Sequence, residues 1–109
     1  MTELHPPEPV ASFIDAVNRH DECAVLDAFA PGGYVDDWGR MYCGRDQIKA
    51  WSDSEFVGTT GTLRLREVDV EGDVIMVVVD WTAAGAEELS RFEFVPEGRW
   101  IASMTIREG

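Results

Sequence analysis

Val74-Ile75-Met76-Val77-Val78-Val79, followed one residue later by Trp81, is the most apolar run in the chain. It does not alternate polar with apolar, so a strand built from it needs cover on both faces. Glu71-Gly72-Asp73 precedes it, Ala84-Gly85 follows it, and Pro96-Glu97-Gly98 comes next. Turn-forming residues at that spacing suit tight hairpins. From Gly61 onward the sequence therefore reads as four strands in an antiparallel meander. The first strand changes phase between Leu65 and Val68, which predicts a bulge that bends the sheet. In the third, Ala86, Glu88, Ser90, Phe92 and Phe94 share one face, opposite Glu87, Arg91 and Glu93.

Upstream of Gly61 the period is helical. Val10, Phe13, Ile14 and Val17 recur at i, i+3, i+4 and i+7, a one-faced stripe on a helix that begins near Pro9. Arg19 and His20 are placed in its last turn, where positive or dipolar groups suit a helix C-terminus. Asp21 is a good N-cap for a second, short helix that carries Val25, Leu26 and Phe29 inward. Cys23 on this segment reads as a small packed residue. Pro31-Gly32-Gly33 is expected to end the helix. Gly44-Arg45-Asp46 opens a third helix with Ile48 and Trp51 on its buried side. Helices first and a meander afterwards predict an α+β fold, with three N-terminal helices packed on one face of a curved antiparallel sheet. Those helices can cover one face of Val74–Val79. The other face predicts a second subunit, and a twofold homodimer is the default symmetry.

The chain has 109 residues and a formal net charge of -12. That length suits one domain with a single core, here 9–109, preceded by a loose arm over 1–8. The acidity argues against nucleic acid, anionic membrane surfaces and polyanionic substrates, all of which want basic patches. Met1 to Pro9 lacks the apolar stretch of a secretion signal, and no run reaches membrane-spanning length. Cys23 and Cys43 lie at no metal-ligand or redox spacing, so free thiols in a reducing cytoplasm are expected. Two histidines without ligand spacing, and no glycine loop shaped for phosphate, predict neither metal nor cofactor.

Between the helices lies Tyr34-Val35-Asp36-Asp37-Trp38-Gly39, read as a short strand over 34–38. Alternation puts Val35 and Asp37 on one face, with Tyr34, Asp36 and Trp38 on the other. If Val35 enters the core, Asp37 enters with it, and a carboxylate sent inward must be paired, hydrogen-bonded or used. Enclosed by rings, such a carboxylate loses hydration and becomes a stronger base once ionised. Proton abstraction from a small hydrophobic metabolite would also need a donor on the developing oxyanion. Tyr34, Tyr42, Trp38, Trp51, Trp81 and Ser90 are the candidates. The competing reading makes Asp37 a structural acceptor at the strand-to-turn transition. His20 beside Asp21 suggests a dyad, but neighbours at a helix boundary point apart, so a structural reading is preferred. Asp80 interrupts its apolar run without an assigned role.

The segments Phe13-Ile14-Asp15-Ala16-Val17-Asn18-Arg19-His20-Asp21, Phe29-Ala30-Pro31, Val35-Asp36-Asp37-Trp38-Gly39 and Gly44-Arg45-Asp46-Gln47-Ile48-Lys49-Ala50-Trp51 resemble, in order and spacing, the SnoaL-like branch of the nuclear transport factor two superfamily. Phe92-Glu93-Phe94 and the Gly98-Arg99…Ile101 turn extend the resemblance from about Pro9 to Ile106. It implies a cone of curved antiparallel sheet around three helices, with a pocket between the first helix and the concave face. It does not fix a function, because that fold hosts isomerases, dehydratases, cyclases, hydrolases and binding modules. In its ketosteroid isomerase-like members an aspartate at the end of the first strand is the base, which places that role on Asp37. Their enolate donors, a tyrosine and a protonated aspartic acid, correspond to Phe13 and Ser90. Phe13 can donate no hydrogen bond, which argues against steroid isomerisation of that kind. The expected ligand-binding set is Phe13, Val17, Trp38, Tyr42, Trp51, Phe56, Trp81, Ser90 and Phe92, around a small, flat, mostly apolar ligand. Two functions follow: a cofactor-free isomerase, cyclase or dehydratase using Asp37 as base, or a non-catalytic ligand-binding or dimerisation module.

Overall fold

The computed structural model describes residues 5–83 and 85–109; Ala84, in one of the expected turns, and residues 1–4 of the expected arm lie outside them. Helix α1 (Val10–Asn18) follows Pro9 and buries Val10, Phe13, Ile14, Ala16 and Val17, the predicted stripe with Ala16 added. Just before it, the Glu8 carboxylate accepts from the backbone N–H and hydroxyl of Ser12, both at 2.8 Å. Arg19 and His20 fall beyond the helix rather than in its last turn, because His20 turns to φ +56° and breaks the helical path. There the His20 ring meets the Gly61 carbonyl at 3.1 Å, while Asn18 accepts from Leu63 N and donates to Leu63 O. Those bonds satisfy backbone groups that would otherwise be open.

Helix α2 (Glu22–Asp27) has Asp21 as its N-cap, accepting from Ala24 N at 3.1 Å. That capping role and the His20 contact with Gly61 place the two side chains in separate structural duties. Cys23 is exposed on α2 rather than packed, and Cys43 is exposed too, both as free thiols. Pro31-Gly32-Gly33 does not terminate this helix. It lies inside strand β1 (Phe29–Asp37), which begins five residues earlier than expected and stops before Trp38. The Pro–Gly–Gly stretch is the irregular part of that strand, where the pairing register with the last strand shifts between Phe29 and Tyr34.

Strand β2 (Arg40–Cys43) returns against β1, with Asp37 directly opposite Arg40. Helix α3 (Gly44–Glu55) buries Ile48 and Trp51 as predicted, and Ser52 with them. A single 3₁₀ turn, Val57–Thr59, follows. The meander then runs through β3 (Thr62–Glu71), β4 (Val74–Ala83), β5 (Ala86–Glu97) and β6 (Trp100–Glu108). The sheet order is β2-β1-β6-β5-β4-β3, with β1 parallel to β6 and every other neighbour antiparallel. The predicted bulge is present in β3, where the register shifts between Leu65 and Glu67. This is the α+β architecture expected, three helices on a curved, unclosed sheet.

Inward side chains of α1, α3, β1 and β4–β6 form one core around Phe13, Phe29, Ile48, Val77, Phe94, Ile101 and Met104. On the outer face, Arg107 donates two hydrogen bonds to Asp36 at 3.1 Å and holds its carboxyl below the usual carboxylate range. Asp80 also belongs to this face, buried beneath Arg66 at 3.0 Å. A guanidinium partner explains the charge inside the apolar run. Val74, Met76 and Val78, the outward residues of β4, are half-buried.

Candidate functional site

Asp37 is 9 % exposed and shares the inward face with the fully buried Val35, as alternation required. Its Oδ2 accepts from the Trp51 indole N–H at 3.0 Å and meets Arg40 Nη2 at 3.2 Å. Oδ1 has no hydrogen-bond partner among the described residues. Arg40 is shared, because Nη2 also meets Glu55 Oε1 at 3.1 Å, and this bond is the main reason the guanidinium is held above its ordinary pKa. Glu55 in turn accepts from the Tyr42 hydroxyl at 3.5 Å. Register explains half of this arrangement, since residues opposite each other on paired strands meet. The other half comes from α3, whose last two turns present Trp51 and Glu55 four residues apart on one side.

A cavity of about 250 Å³ opens beside this carboxylate. Asp37, Trp38, Arg40, Trp51, Glu55, Phe56, Trp81, Glu88, Ser90, Phe92 and Ile106 line it. Its wall is a stack of three rings. Phe56 lies between Trp51, with centroids 4.8 Å apart, and Trp81, 5.0 Å apart, with interplanar angles of 22° and 23°. Two glycines permit the stack. A Cβ on Gly58 would overlap the carbonyl oxygen of Asp53, so only glycine lets the 3₁₀ turn tuck under α3 behind Phe56. A Cβ on Gly61 would sit 2.5 Å from two ring carbons of Trp81. At the mouth, Trp38 is 51 % exposed and held at φ +55°, followed by Gly39 at +89°. A bulky residue in the left-handed region is uncommon and marks local strain beside the cavity.

Of the expected ligand-binding residues, Trp38, Trp51, Phe56, Trp81, Ser90 and Phe92 stand around the cavity with Asp37. Phe13, Val17 and Tyr42 do not. Phe13 is sealed in the core, its ring against Phe29, Phe56 and Phe94. It fills the space beneath α1, so the cavity opens between α3 and the concave sheet rather than beside the first helix. Val17 is fully buried on the same helix, and Tyr42 stands behind Trp51 with centroids 6.1 Å apart. Arg40, Glu55, Glu88 and Ile106 were missed as lining residues. Glu88 was legible, since it shares its strand face with Ser90 and Phe92. Arg40 was legible only once the hairpin register was known.

The candidate oxyanion donors separate in the same way. Tyr34 is on the outer face, paired in register with Ser103. Tyr42 and Trp51 donate to carboxylates. Ser90 is 5 % exposed, lines the cavity and has no hydrogen-bond partner for its hydroxyl among the described residues. A hydroxyl that opens onto a cavity in an otherwise buried residue is a group a ligand can meet. Among the described residues, no group of three or more metal-ligating side chains comes together, and no helix is long and apolar enough to cross a membrane.

A family model described as a SnoaL-like domain matches residues 10–109. No match is found among curated protein sequences. Among solved structures, a polyketide cyclase candidate from Sinorhizobium meliloti superposes with a TM-score of 0.84 at 24% identity, covering 93% of this chain and 94% of that one. A computationally designed binder of 17-OHP gives 0.82 at 16% identity, over 97% and 93%. A Mycobacterium tuberculosis protein in complex with estradiol-17β-hemisuccinate gives 0.77 at 17% identity, over 90% and 88%. At these identities the likeness to solved structures establishes the fold.

Proposed function

The chain belongs to the SnoaL-like domain family, and on that premise we propose that it is a cofactor-free pocket protein that acts on a small, flat, mostly apolar metabolite. The observation that carries this reading is the cavity of about 250 Å³ with a nearly buried carboxylate in its wall. One protein of the same fold is in complex with estradiol-17β-hemisuccinate and another is a designed binder of 17-OHP, which supports a ligand pocket in this fold.

As an enzyme, the pocket performs isomerase-, cyclase- or dehydratase-type proton transfer with Asp37 as base. Trp51 and Arg40 fix the carboxylate through Oδ2, which leaves Oδ1 to accept a proton from a carbon next to a carbonyl. The electron pair of the broken C–H bond moves onto the carbonyl oxygen. The Ser90 hydroxyl is the donor for that developing charge, and the Trp81 indole is a second one. Return of the proton to another carbon gives the isomer; its delivery to a β-hydroxyl, which departs as water while the carbonyl re-forms and the new C=C bond closes, gives the dehydrated product. One specific observation favours a non-catalytic binding module instead. The Asp37 carboxylate already holds an indole N–H and a guanidinium, partners that suit a structural acceptor. The placement of Phe13 in the core, away from the cavity, points the same way.

Thermal-shift screening of flat aromatic and lipid-like metabolites tests the reading. Binders should raise the melting temperature, and their conversion should then be followed by chromatography. Stabilisation with turnover supports the enzyme, stabilisation without turnover the binding module, and a panel with no stabilising compound would count against both.

The second proposed partner is another copy of this chain. Met76, Val78, Leu89 and Val95 project from the outer sheet face, with Arg91 and Glu93 between Leu89 and Val95 and opposite Val78 and Met76, and with the Arg66–Asp80 pair beside them. Apolar side chains interspersed with ion pairs of both signs can complement a copy of themselves across a twofold axis. Sedimentation velocity at micromolar concentration should give a dimer, and Met76→Glu should give a monomer. A monomeric parent protein would refute this assignment.

A further inference from the structure

We propose that the cavity selects a flat ligand carrying a protonated amine and turns away ligands carrying a carboxylate. This rests on the reading above that the cavity receives a small ligand, and it names the chemical class of that ligand.

Three carboxylates line the cavity, Asp37, Glu55 and Glu88, against one guanidinium, Arg40. Arg40 is already paired. Its Nη2 stands 3.2 Å from Asp37 Oδ2 and 3.1 Å from Glu55 Oε1, so two carboxylates already offset its charge, while Nε and Nη1 have no partner among the described residues. Glu88 has no ion-pair partner among the described residues and stands at the rim, directly across from Trp81. The lining is therefore negative after its one internal cation is counted. Trp38, 51 % exposed at the mouth, acts in the same direction, because an aromatic face attracts cations and repels anions. So does the far field of a chain with a net charge of -12.

An independent observation points to a ligand at this spot. Ser90 is 5 % exposed as a residue, lines the cavity, and its hydroxyl has no partner among the described residues. It sits two residues from Glu88 on the same strand face, which places a neutral acceptor beside an unpaired carboxylate. An ammonium has three donors and no acceptor, so it can satisfy both at once. A carboxylate on the ligand could use the hydroxyl only by approaching Glu88 against its charge.

The test uses three probes with one ring system: naphthylmethylamine, naphthylmethanol and naphthoate, titrated calorimetrically into the full chain at neutral pH. The amine should bind about tenfold or more tightly than naphthoate, the difference expected for reversing one charge near a partly screened carboxylate. Its advantage over the alcohol should shrink in high salt and in Glu88→Gln, a substitution at an exposed rim position that leaves the core untouched. Naphthoate binding as tightly as the amine would overturn the inference while leaving the pocket reading intact. An amine advantage unchanged in Glu88→Gln would overturn the placement of the amine at this rim. If none of the three probes binds at millimolar concentration, the pocket reading itself fails and this inference falls with it.

Discussion

Phe56→Ala should lower the stability of the protein by about 3–5 kcal/mol, the usual range for deleting a fully packed aromatic ring. Phe56 is 2 % exposed and touches four other rings, Phe13, Trp51, Trp81 and Phe92. Its backbone is also the hinge between α3 and the 3₁₀ turn. Trp51 and Trp81 would lose the ring that separates them, and neither can close the gap without abandoning Asp37 or colliding with Gly61. The site therefore cannot collapse, which puts the cost at the upper end. Urea unfolding checks it: the midpoint should fall with little change in slope. A loss under about 1 kcal/mol would mean that the three-ring stack does not hold the cavity wall.

Asp37→Asn should reduce turnover by about 10²–10⁴-fold on a substrate found by the screen, the span usual for removing a positioned base. The substitution keeps the volume, and the asparagine oxygen still accepts from the Trp51 indole. Arg40 retains Glu55 at 3.1 Å. Stability should consequently change by no more than about 1 kcal/mol, the worth of an ion pair whose other member is largely exposed. Kinetics and denaturation on the same preparation separate the two readings of Asp37. A variant that loses stability while keeping ligand affinity and turnover would mark the carboxylate as a structural acceptor.

Local pattern carried most of the architecture. The stripe on α1, the Asp21 cap, the inward Ile48 and Trp51, the four-strand meander and its bulge were all legible, because each depends on residues within one or two turns or pleats. The expected end of α2 at Pro31-Gly32-Gly33 failed for a nonlocal reason. Those residues break regular structure in isolation, but Ile101 N donates to Ala28 O at 2.7 Å and Phe29 pairs with Ile101. The last strand of the chain thus recruits the segment into the sheet. At Gly33 a Cβ would stand 3.0–3.1 Å from three backbone oxygens, so the glycine that reads as a breaker is the residue this parallel crossing requires.

Alternation alone settled that Asp37 faces inward, since Val35 could not be buried without it. Sequence could not say what it would meet there. Trp51 lies fourteen residues further on, and Ser90 is more distant still. They reach the carboxylate's surroundings because α3 folds back over a sheet whose curvature brings β5 beneath it. The one-dimensional period of side chains fixed which way each group points. Which groups converge, with Arg40 shared between Asp37 and Glu55 and with Phe13 walled off from the cavity, was decided by the packing of distant elements, because close packing leaves room for one arrangement of rings and not its neighbours.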